Sequence, residues 1–132
     1  MSGLILRLRP NEELFINGVL VQNGDRKANL RVKSADAAIL RLRDAMRPEE
    51  ATTPERRAYY IAQLAVAGQM ERDEAAGILG AALKQLAAMY NGDPKSDAIG
   101  RAVDELEAGR IYSVMRRLRE VIDIQPELRA AG

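Results

Sequence analysis

The sequence predicts an α+β fold in which a small antiparallel β module precedes a helical module. From Leu4 to about Arg43, apolar and polar residues alternate with the period of two that is typical of half-buried strands. After Thr53 the apolar residues follow the period of an amphipathic helix instead. Between these regions, residues 47–53 contain one proline, two glutamates and two threonines, which interrupt both patterns. We therefore expect a β module at 1–47 and a helical module at 48–132.

Turn signals divide the β module into five short strands. Asn17-Gly18 readily adopts the positive φ angles of a tight hairpin turn, and Pro10-Asn11-Glu12 and Asn23-Gly24-Asp25 mark two further turns. The predicted strands cover residues 4–9, 13–16, 19–22, 27–33 and 38–43. The fifth strand has an alternative, because Ala35-Asp36-Ala37-Ala38 can also begin a helix that runs to Met46.

The helical module contains start and stop signals for four helices. Thr53 suits an N-cap and Pro54 suits the first helical position. Asn91-Gly92 and Gly109 are stop signals, and Pro126 follows the last helix. The predicted helices cover residues 54–68, 73–90, 95–108 and 110–124. The last helix has the clearest apolar stripe, formed by Ile111, Val114, Met115, Leu118, Val121 and Ile122.

The amino-acid composition excludes most catalytic chemistry. The chain of 132 residues contains no cysteine and no histidine. Without them, Ser-His-Asp and Cys-His nucleophile systems, disulfides and nearly every zinc or iron site are ruled out. We therefore expect a protein that is not an enzyme and that binds no metal or other cofactor. The chain also lacks a signal-peptide pattern and any run of about 18 apolar residues, so we expect a soluble, cytoplasmic protein.

Positive charge is concentrated in the first third of the chain. Residues 1–47 contain nine Lys/Arg against five Asp/Glu, a net charge of +4, whereas residues 48–132 have a net charge of −3. We therefore expect an anionic partner to bind the β module.

The pentapeptide Ile-Leu-Arg-Leu-Arg occurs twice, at Ile5–Arg9 and at Ile39–Arg43. In a strand, each copy places its leucines on one face and its arginines on the other. If the copies lie beside each other, in one chain or across a dimer, their arginines form a stripe that suits a nucleic-acid backbone. The candidate residues are Arg7, Arg9, Arg41 and Arg43, with Arg31 and Lys33 of the fourth strand as extensions. The alternative is that these basic residues only keep an edge strand soluble.

A second candidate site is the segment Asn23-Gly24-Asp25-Arg26. Gly24 allows the neighbouring backbone amides to approach a phosphate closely. The alternative is a hairpin turn in which Asp25 and Arg26 form a surface pair. The arginines of the last predicted helix form a secondary candidate for nucleic-acid contact, although such a face is usually only solvated.

The turn motif belongs to a longer pattern of residues. The pattern begins with Arg9-Pro10-Asn11-Glu12, Ile16-Asn17-Gly18-Val19 and Val21-Gln22-Asn23-Gly24-Asp25-Arg26. It continues through Val32, Leu40-Arg41, Arg43-Asp44, Met46 and Thr53-Pro54, and recurs around Arg110, Tyr112, Arg119 and Ile122. This pattern resembles the FlbT family, the flagellin-regulating proteins of alphaproteobacteria. Leu42 departs from the family pattern, which often has an acidic residue at this position, so the second pentapeptide copy is partly peculiar to this chain.

The resemblance to FlbT implies a post-transcriptional regulator that binds the 5′ untranslated region of flagellin mRNA, represses its translation and promotes its decay. It also implies that the protein works in opposition to the FlaF protein, which would be a direct partner. The β module further resembles the carbon storage regulator family of mRNA-binding proteins, in which an intertwined dimer uses its first and last strands for RNA. This second resemblance implies a homodimer with Arg7, Arg9 and Arg43 as the leading RNA contacts.

A second functional hypothesis is a flagellar adaptor or chaperone that acts through the helical module. Four amphipathic helices with many alanines and five methionines can form an adaptable groove for a protein partner.

Overall fold

The computed structural model describes residues 4–34 and 37–122. Within these ranges, five strands are followed by four α-helices. The strands are β1 (Leu4–Leu8), β2 (Glu13–Ile16), β3 (Val19–Gln22), β4 (Ala28–Val32) and β5 (Ile39–Arg41). The helices are α1 (Pro54–Val66), α2 (Arg72–Met89), α3 (Ser96–Glu107) and α4 (Ile111–Ile122). The predicted α+β fold class is confirmed. The predicted end of the last helix, at residue 124, lies outside the described residues.

The chain divides into two compact units. The first, the β unit, consists of the described residues up to Ala45 together with Val66–Gln69. The second, the helical unit, consists of Met46–Ala65 and the described residues from Met70 onward. The predicted division at residue 47 into two domains stays a prediction.

The five strands form two separate antiparallel sheets. β1 pairs with β4, and β2 lies between β3 and β5. β3 and β4 are consecutive in the sequence but belong to different sheets, so the hairpin predicted at Asn23-Gly24 is wrong. The segment connects two sheets instead.

The predicted hairpin at Asn17-Gly18 is confirmed. Asn17 and Gly18 have φ angles of 51° and 82°, the positive values of a tight turn, and Ile16 pairs with Val19 directly across it. The side-chain oxygen of Asn17 also accepts a hydrogen bond from the N–H of Ala38 at 2.9 Å. The turn therefore also fixes the approach to β5.

The predicted fifth strand is confirmed, but it is shorter than the predicted range of 38–43. β5 ends at Arg41, and the chain then enters a 3₁₀ helix in which Leu42 is exposed. The pairing of β5 with β2 ends at Leu14 and Arg41, although β2 begins one residue earlier, at Glu13. The presence of β5 also rules out the alternative helix running to Met46.

The core of the β unit is built from both sheets. Leu6 and Leu8 of β1 and Leu14 of β2 are buried together. Three partly buried residues pack against them: Ile16, Val32 and Ile39. The faces that carry these residues therefore form the core of the β unit, and Leu40 is also buried, on the other face of the β2–β5 sheet.

The helical unit begins as its capping residues predict. The N–H of Arg56 donates to the Thr53 hydroxyl at 3.2 Å, and Pro54 is the first residue of α1. The side-chain amide of the buried Gln63 then donates to the Met46 carbonyl and accepts from the Met46 N–H, both at 2.8 Å. This pair of hydrogen bonds holds the segment before α1 against the helix.

The predicted apolar stripe of α4 forms much of the core of the helical unit. Its buried residues are Ile111, Val114, Met115, Leu118 and Val121. α3 packs against both α4 and α2, and contributes Ile99 and Ala102 to the core. α3 is followed by Gly109, which has a φ angle of 78° and is the predicted stop signal.

Candidate nucleic-acid interface

The outer face of the β1–β4 sheet carries the arginines of the first pentapeptide copy. Both leucines of that copy are buried in the core, which places Ile5 and Arg7 on the opposite face. The antiparallel register puts Arg31 opposite Ile5 and Asn29 opposite Arg7, so these two residues of β4 share the outer face. The predicted separation of leucines and arginines is confirmed for this copy.

Five exposed cations form what we call the basic face. Arg7 and Arg31 lie among the paired residues of β1 and β4. Arg9 and Lys27 lie next to the last residue pair of this sheet, and Lys33 lies just beyond the opposite end of the sheet. None of the five takes part in a salt bridge within the described residues. β1 and β4 themselves contain no acidic residue. The five side chains of the basic face therefore form no ion pair with either strand.

The geometry of the basic face suits an extended polyanion. Side chains two residues apart on a strand are about 7 Å apart, and directly opposed residues have Cα atoms about 5 Å apart. Guanidinium groups bind phosphate through two parallel hydrogen bonds. The exposed Ile5 lies opposite Arg31 and offers an apolar contact between the cations. Such a face can hold successive phosphates and contact a base between them.

A buried carboxylate next to the basic face was not predicted from the sequence. The side chain of Glu12 is only 5% exposed, and both of its oxygens bind Arg41, from Nε at 2.6 Å and from Nη2 at 2.8 Å. The N–H of Arg9 donates to the same carboxylate at 2.9 Å. These hydrogen bonds, first that of Arg41 and then that of Arg9, lower the pKa of Glu12 from 4.5 to about 2.

Arg41 is held inside the β unit by this carboxylate. Its side chain is 16% exposed, and the hydrogen bond with Glu12 raises its pKa. Its Nη2 also donates to the carbonyl of Arg7 at 2.6 Å. The two pentapeptide copies are therefore not neighbouring strands, but one arginine of the second copy braces the backbone of the first.

Arg43 occupies a different environment from Arg41. Its Nε lies 3.7 Å from Glu12, and more of its side chain reaches solvent. Arg43 is thus partly neutralised by Glu12 but remains open to a ligand.

The Asn23–Arg26 connector holds the turn that precedes β2. The Asn23 side-chain amide donates to the carbonyls of Arg9 at 2.8 Å and of Arg26 at 2.9 Å. The carbonyl of Gly24 accepts from the N–H of Asn11 at 2.7 Å. Asp25 and Arg26 are both exposed, and no ion pair joins them in the described part of the chain. The connector thus positions Arg9, while Arg26 lies outside the sheet that forms the basic face.

Two residues of this region were missed by reasoning from the sequence, Glu12 and Lys27. Lys27 precedes the first paired residue of β4, and only the register places it beside Arg9. Glu12 is far from Arg41 in the sequence, and only the fold brings the two together. The one available signal was that Glu12 is an acidic residue in a basic stretch.

Two arginines of the secondary candidate, one just before α4 and one within it, are paired with acidic residues. Arg110 lies 2.7 Å from Glu105, and Arg117 lies 3.0 Å from Glu120 and 3.9 Å from Glu105. Part of the positive charge on this surface is therefore compensated, whereas the five cations of the basic face form no salt bridge within the described residues.

The helical unit also contains an apolar groove between α1 and α2. Its volume is about 450 Å³. Its walls include Ala58, Ile61 and Ile78, with Arg57 and Gln85 as polar lining residues. Arg57 is exposed and forms no salt bridge within the described residues. The groove suits an apolar side chain that lies next to an acidic group.

Within the described residues, no group of three or more His, Cys, Asp or Glu side chains is arranged to hold a metal ion. No helix in the same ranges is long and apolar enough to cross a membrane.

Comparison with known proteins identifies the family. The family model described as "Flagellar protein FlbT" matches residues 4–128. The chain belongs to the FlbT family. A protein of Brucella abortus strain S19, named "Probable flagellum biosynthesis repressor protein FlbT", is 32% identical over 98% of this chain and 84% of its own length. A Brucella ovis protein of the same name has the same identity and coverage.

The FlbT likeness is also seen outside Brucella. A Caulobacter protein of strain K31, with the same name, is 47% identical over 57 residues, or 43% of each chain. No solved structure matches this chain.

Proposed function

We propose that this member of the FlbT family is a cytoplasmic, non-enzymatic repressor that binds the 5′ untranslated region of flagellin mRNA and promotes its decay. The observation that carries the proposal is the basic face, on which five exposed cations form no salt bridge within the described residues. The Brucella relatives are named probable flagellum biosynthesis repressors, which supports the repressor role.

The basic face binds the RNA backbone in this proposal. Arg7 and Arg31 contact phosphates at its centre, and Arg9, Lys27 and Lys33 extend the contact along the strand of RNA. Each phosphate that is neutralised releases a counterion, so the free energy of binding depends strongly on salt.

Sequence preference must come from contacts other than aromatic stacking. Phe15 is the one aromatic residue in the first 50 positions, and it belongs to the other sheet. Arginine planes can stack on bases, and the exposed Ile5 and Asn29 can contact base faces and edges. We therefore expect binding to a single-stranded or looped part of the leader.

Arg41 has a positioning role in this proposal. Its guanidinium group is bound by Glu12 and donates to the carbonyl of Arg7. It therefore holds the backbone of β1 where the side chain of Arg7 leaves the sheet. Arg43, which is more exposed, contacts RNA at the margin.

Repression then follows from occupancy of the leader. A protein bound in the 5′ untranslated region blocks ribosome loading, and an untranslated message is open to nucleases.

The test is the binding of a flagellin leader RNA by the full chain in a gel-shift or fluorescence assay. Replacing Arg7, Arg9 and Arg31 with alanine should weaken binding by about 100-fold at moderate salt and reduce the salt slope by about 2, because about 0.7 is lost per single-strand phosphate contact.

A matched control removes the same charge from the helical unit. Lys84, Arg101 and Arg116 are exposed, and their triple alanine variant should bind leader RNA within a few-fold of the wild type. Circular dichroism should be unchanged for both variants. Equal losses in the two variants, or no RNA binding by the wild type, would contradict the proposal.

The α1–α2 groove favours a second function, in which the helical unit binds FlaF as a flagellar adaptor. The groove is apolar, exposes Ile78 and has the uncompensated cation Arg57 in its lining. It therefore fits an amphipathic helix that presents an acidic residue beside its apolar side chains.

This function is tested by pull-down of FlaF after nuclease treatment. Ile78→Lys should abolish capture of FlaF and leave RNA binding intact. Met89→Lys is the matched control, because Met89 is also an exposed apolar residue of α2 but does not line the groove. Capture that survives Ile78→Lys, or is lost equally with Met89→Lys, would count against the groove.

A further inference from the structure

Exposed apolar residues are concentrated in the β unit. Of the nine large apolar residues that the described part of the chain leaves exposed, seven lie there, and two lie in the helical unit. Large apolar residues grouped on a surface usually mark an interaction site. The β unit therefore has surface that is not yet covered.

Part of this exposed surface belongs to the faces that form the core. Val21 pairs with the buried Leu14, so both lie on the inner face of their sheet, yet Val21 is exposed. Leu30 pairs with the buried Leu6 in the other sheet and is also exposed. The core of the β unit is thus incomplete at its margin, as is common for units of fewer than about 60 residues.

β3 is the least protected strand of the β unit. It lies at an edge of its sheet, and all four of its residues are exposed, with Val19 at 61% and Leu20 at 52%. Each of the other four strands contains a charged residue, but β3 reads Val-Leu-Val-Gln. Natural proteins usually protect an edge with charge or a bulge, so an uncharged apolar edge indicates a strand that pairs with another chain.

We propose that β3 is the association edge of a dimer, in which it pairs antiparallel with β3 of a second copy. Two antiparallel copies of one strand are related by a two-fold axis, so every contact occurs twice. Because β3 has no charge, the copies meet without repulsion, and the valines and leucines of one cover those of the other. The three-stranded sheets join into one sheet of six strands.

A second copy fits this edge better than a charged strand of another protein. β3 has no cation or anion with which to select a charged partner, whereas self-pairing needs only the apolar side chains and backbone groups that β3 offers. The edge also lies in a different sheet from the basic face, so its pairing leaves Arg7 and Arg31 free. Two copies would then present two basic faces, a consequence that rests on the proposed RNA binding.

Analytical ultracentrifugation of the full chain without RNA tests the dimer. The wild type should be dimeric at micromolar concentration. The double variant Val19→Lys, Val21→Lys places the lysines of one copy next to those of the other. It should therefore weaken the dimer by about 100-fold or more. Leu42→Lys, in the 3₁₀ helix after β5, changes an exposed apolar residue elsewhere in the β unit and should leave the dimer intact.

Cross-linking keeps the test decisive if the lysine variant fails to fold. The chain has no cysteine, so a single introduced cysteine can form a disulfide only with a second copy. Among Val19→Cys, Leu20→Cys and Val21→Cys, at least one should cross-link on mild oxidation, and Leu42→Cys should not. A monomeric wild type, a dimer that resists the lysines, or cross-linking no greater than that of Leu42→Cys would overturn the proposal, whether or not the protein binds RNA.

Discussion

The basic face of the β unit and the surface of α3 and α4 both carry several arginines, but they differ in how these charges are compensated. On the helices, Arg110 and Arg117 lie within 4 Å of Glu105, and Arg117 also pairs with Glu120. On the basic face, Arg7 and Arg31 have no acidic partner within the described residues. Matched charges stabilise a surface only slightly, whereas unmatched charges raise the local potential that attracts an anion. Counting arginines therefore does not locate a binding site, and their partners must be known.

The same comparison applies within the β unit. Arg41 and Arg7 come from two copies of one pentapeptide, yet Arg41 is bound by Glu12 and Arg7 is exposed. Arg41 of the second copy thus supports the backbone of β1, and Arg7 of the first copy belongs to the exposed basic face. Substitutions in both units test this division and the contrast between the units.

Removing the charge of Glu12 should cause the largest loss of stability. In Glu12→Gln, the neutral amide cannot compensate Arg41, which is mostly buried, and its NH₂ group competes with the guanidinium donors. We expect the melting temperature at neutral pH to fall by several degrees. Glu13→Gln is the control, because Glu13 forms no salt bridge within the described residues, and it should have little effect.

The pH dependence of stability identifies the same carboxylate. The pKa of Glu12 is about 2 in the fold, below its usual 4.5, so ionised Glu12 stabilises the protein above about pH 4.5. This stabilisation should be lost progressively as the pH falls from 4.5 toward 2, as measured by thermal melting. Glu12→Gln should lose this part of the acid dependence, and an unchanged acid profile would contradict the assignment.

Gly68→Ala tests a close backbone contact in the β unit. Gly68 has a φ angle of 75°, and an added Cβ would lie 3.1 Å from the carbonyl oxygen of Gly18. We expect denaturant unfolding to show a loss of about 1–2 kcal/mol, because the left-handed backbone and the crowding both cost free energy.

Gly77→Ala provides the opposite result in the helical unit. Gly77 lies inside α2, and a Cβ there would meet no atom within 4 Å. The substitution should therefore stabilise the protein by about 0.5–1 kcal/mol. If the two substitutions changed the free energy of unfolding by similar amounts, the requirement for glycine at Gly68 would be contradicted.

Tyr90→Phe should cause a smaller loss in the helical unit. The Tyr90 hydroxyl donates a hydrogen bond to Glu55 of α1, and its removal should cost about 0.5–1.5 kcal/mol in denaturant unfolding. Burial, followed by this bond, raises the pKa of Tyr90 from 10.0 to about 12. Its contribution is therefore complete below about pH 10 and should be lost as the pH rises toward 12. Tyr112→Phe should keep the alkaline transition, and loss of that transition in both variants would count against Tyr90.

Glu105→Gln tests the charge contrast most directly, with the smallest effect. The substitution releases Arg110 and Arg117 from their shared partner and should raise affinity for leader RNA by a few-fold. Asp104→Asn makes the same change in net charge next to it and should have a smaller effect, because Asp104 forms no salt bridge in the described ranges. Equal gains would show that net charge alone, and not pairing, controls the affinity.

Local features of the fold followed well from the sequence. The turn at Asn17-Gly18, the cap at Thr53 and the apolar stripe of α4 all depend on residues close together in the chain. Positive φ angles, capping hydrogen bonds and helical periodicity are short-range properties, and so a sequence displays them. The alternation of Leu and Arg in the first pentapeptide copy likewise predicted which residues face the core.

The pairing of strands did not follow from the sequence. The connector at Asn23-Gly24 resembles a hairpin turn, but β3 and β4 join different sheets. Which strands pair is decided by burial of the whole core, and a turn motif of two residues does not contain that information.

The sequence alone therefore determined the fold class, most element boundaries, the basic character of the first third and the resemblance to FlbT. Only the tertiary structure decided which cations are available. It brought Glu12 to Arg41 across the β unit, placed Lys27 beside Arg9 and ended β5 before Leu42. Charge compensation depends on distances between residues that are remote in the chain, and those distances exist only once the two sheets have packed.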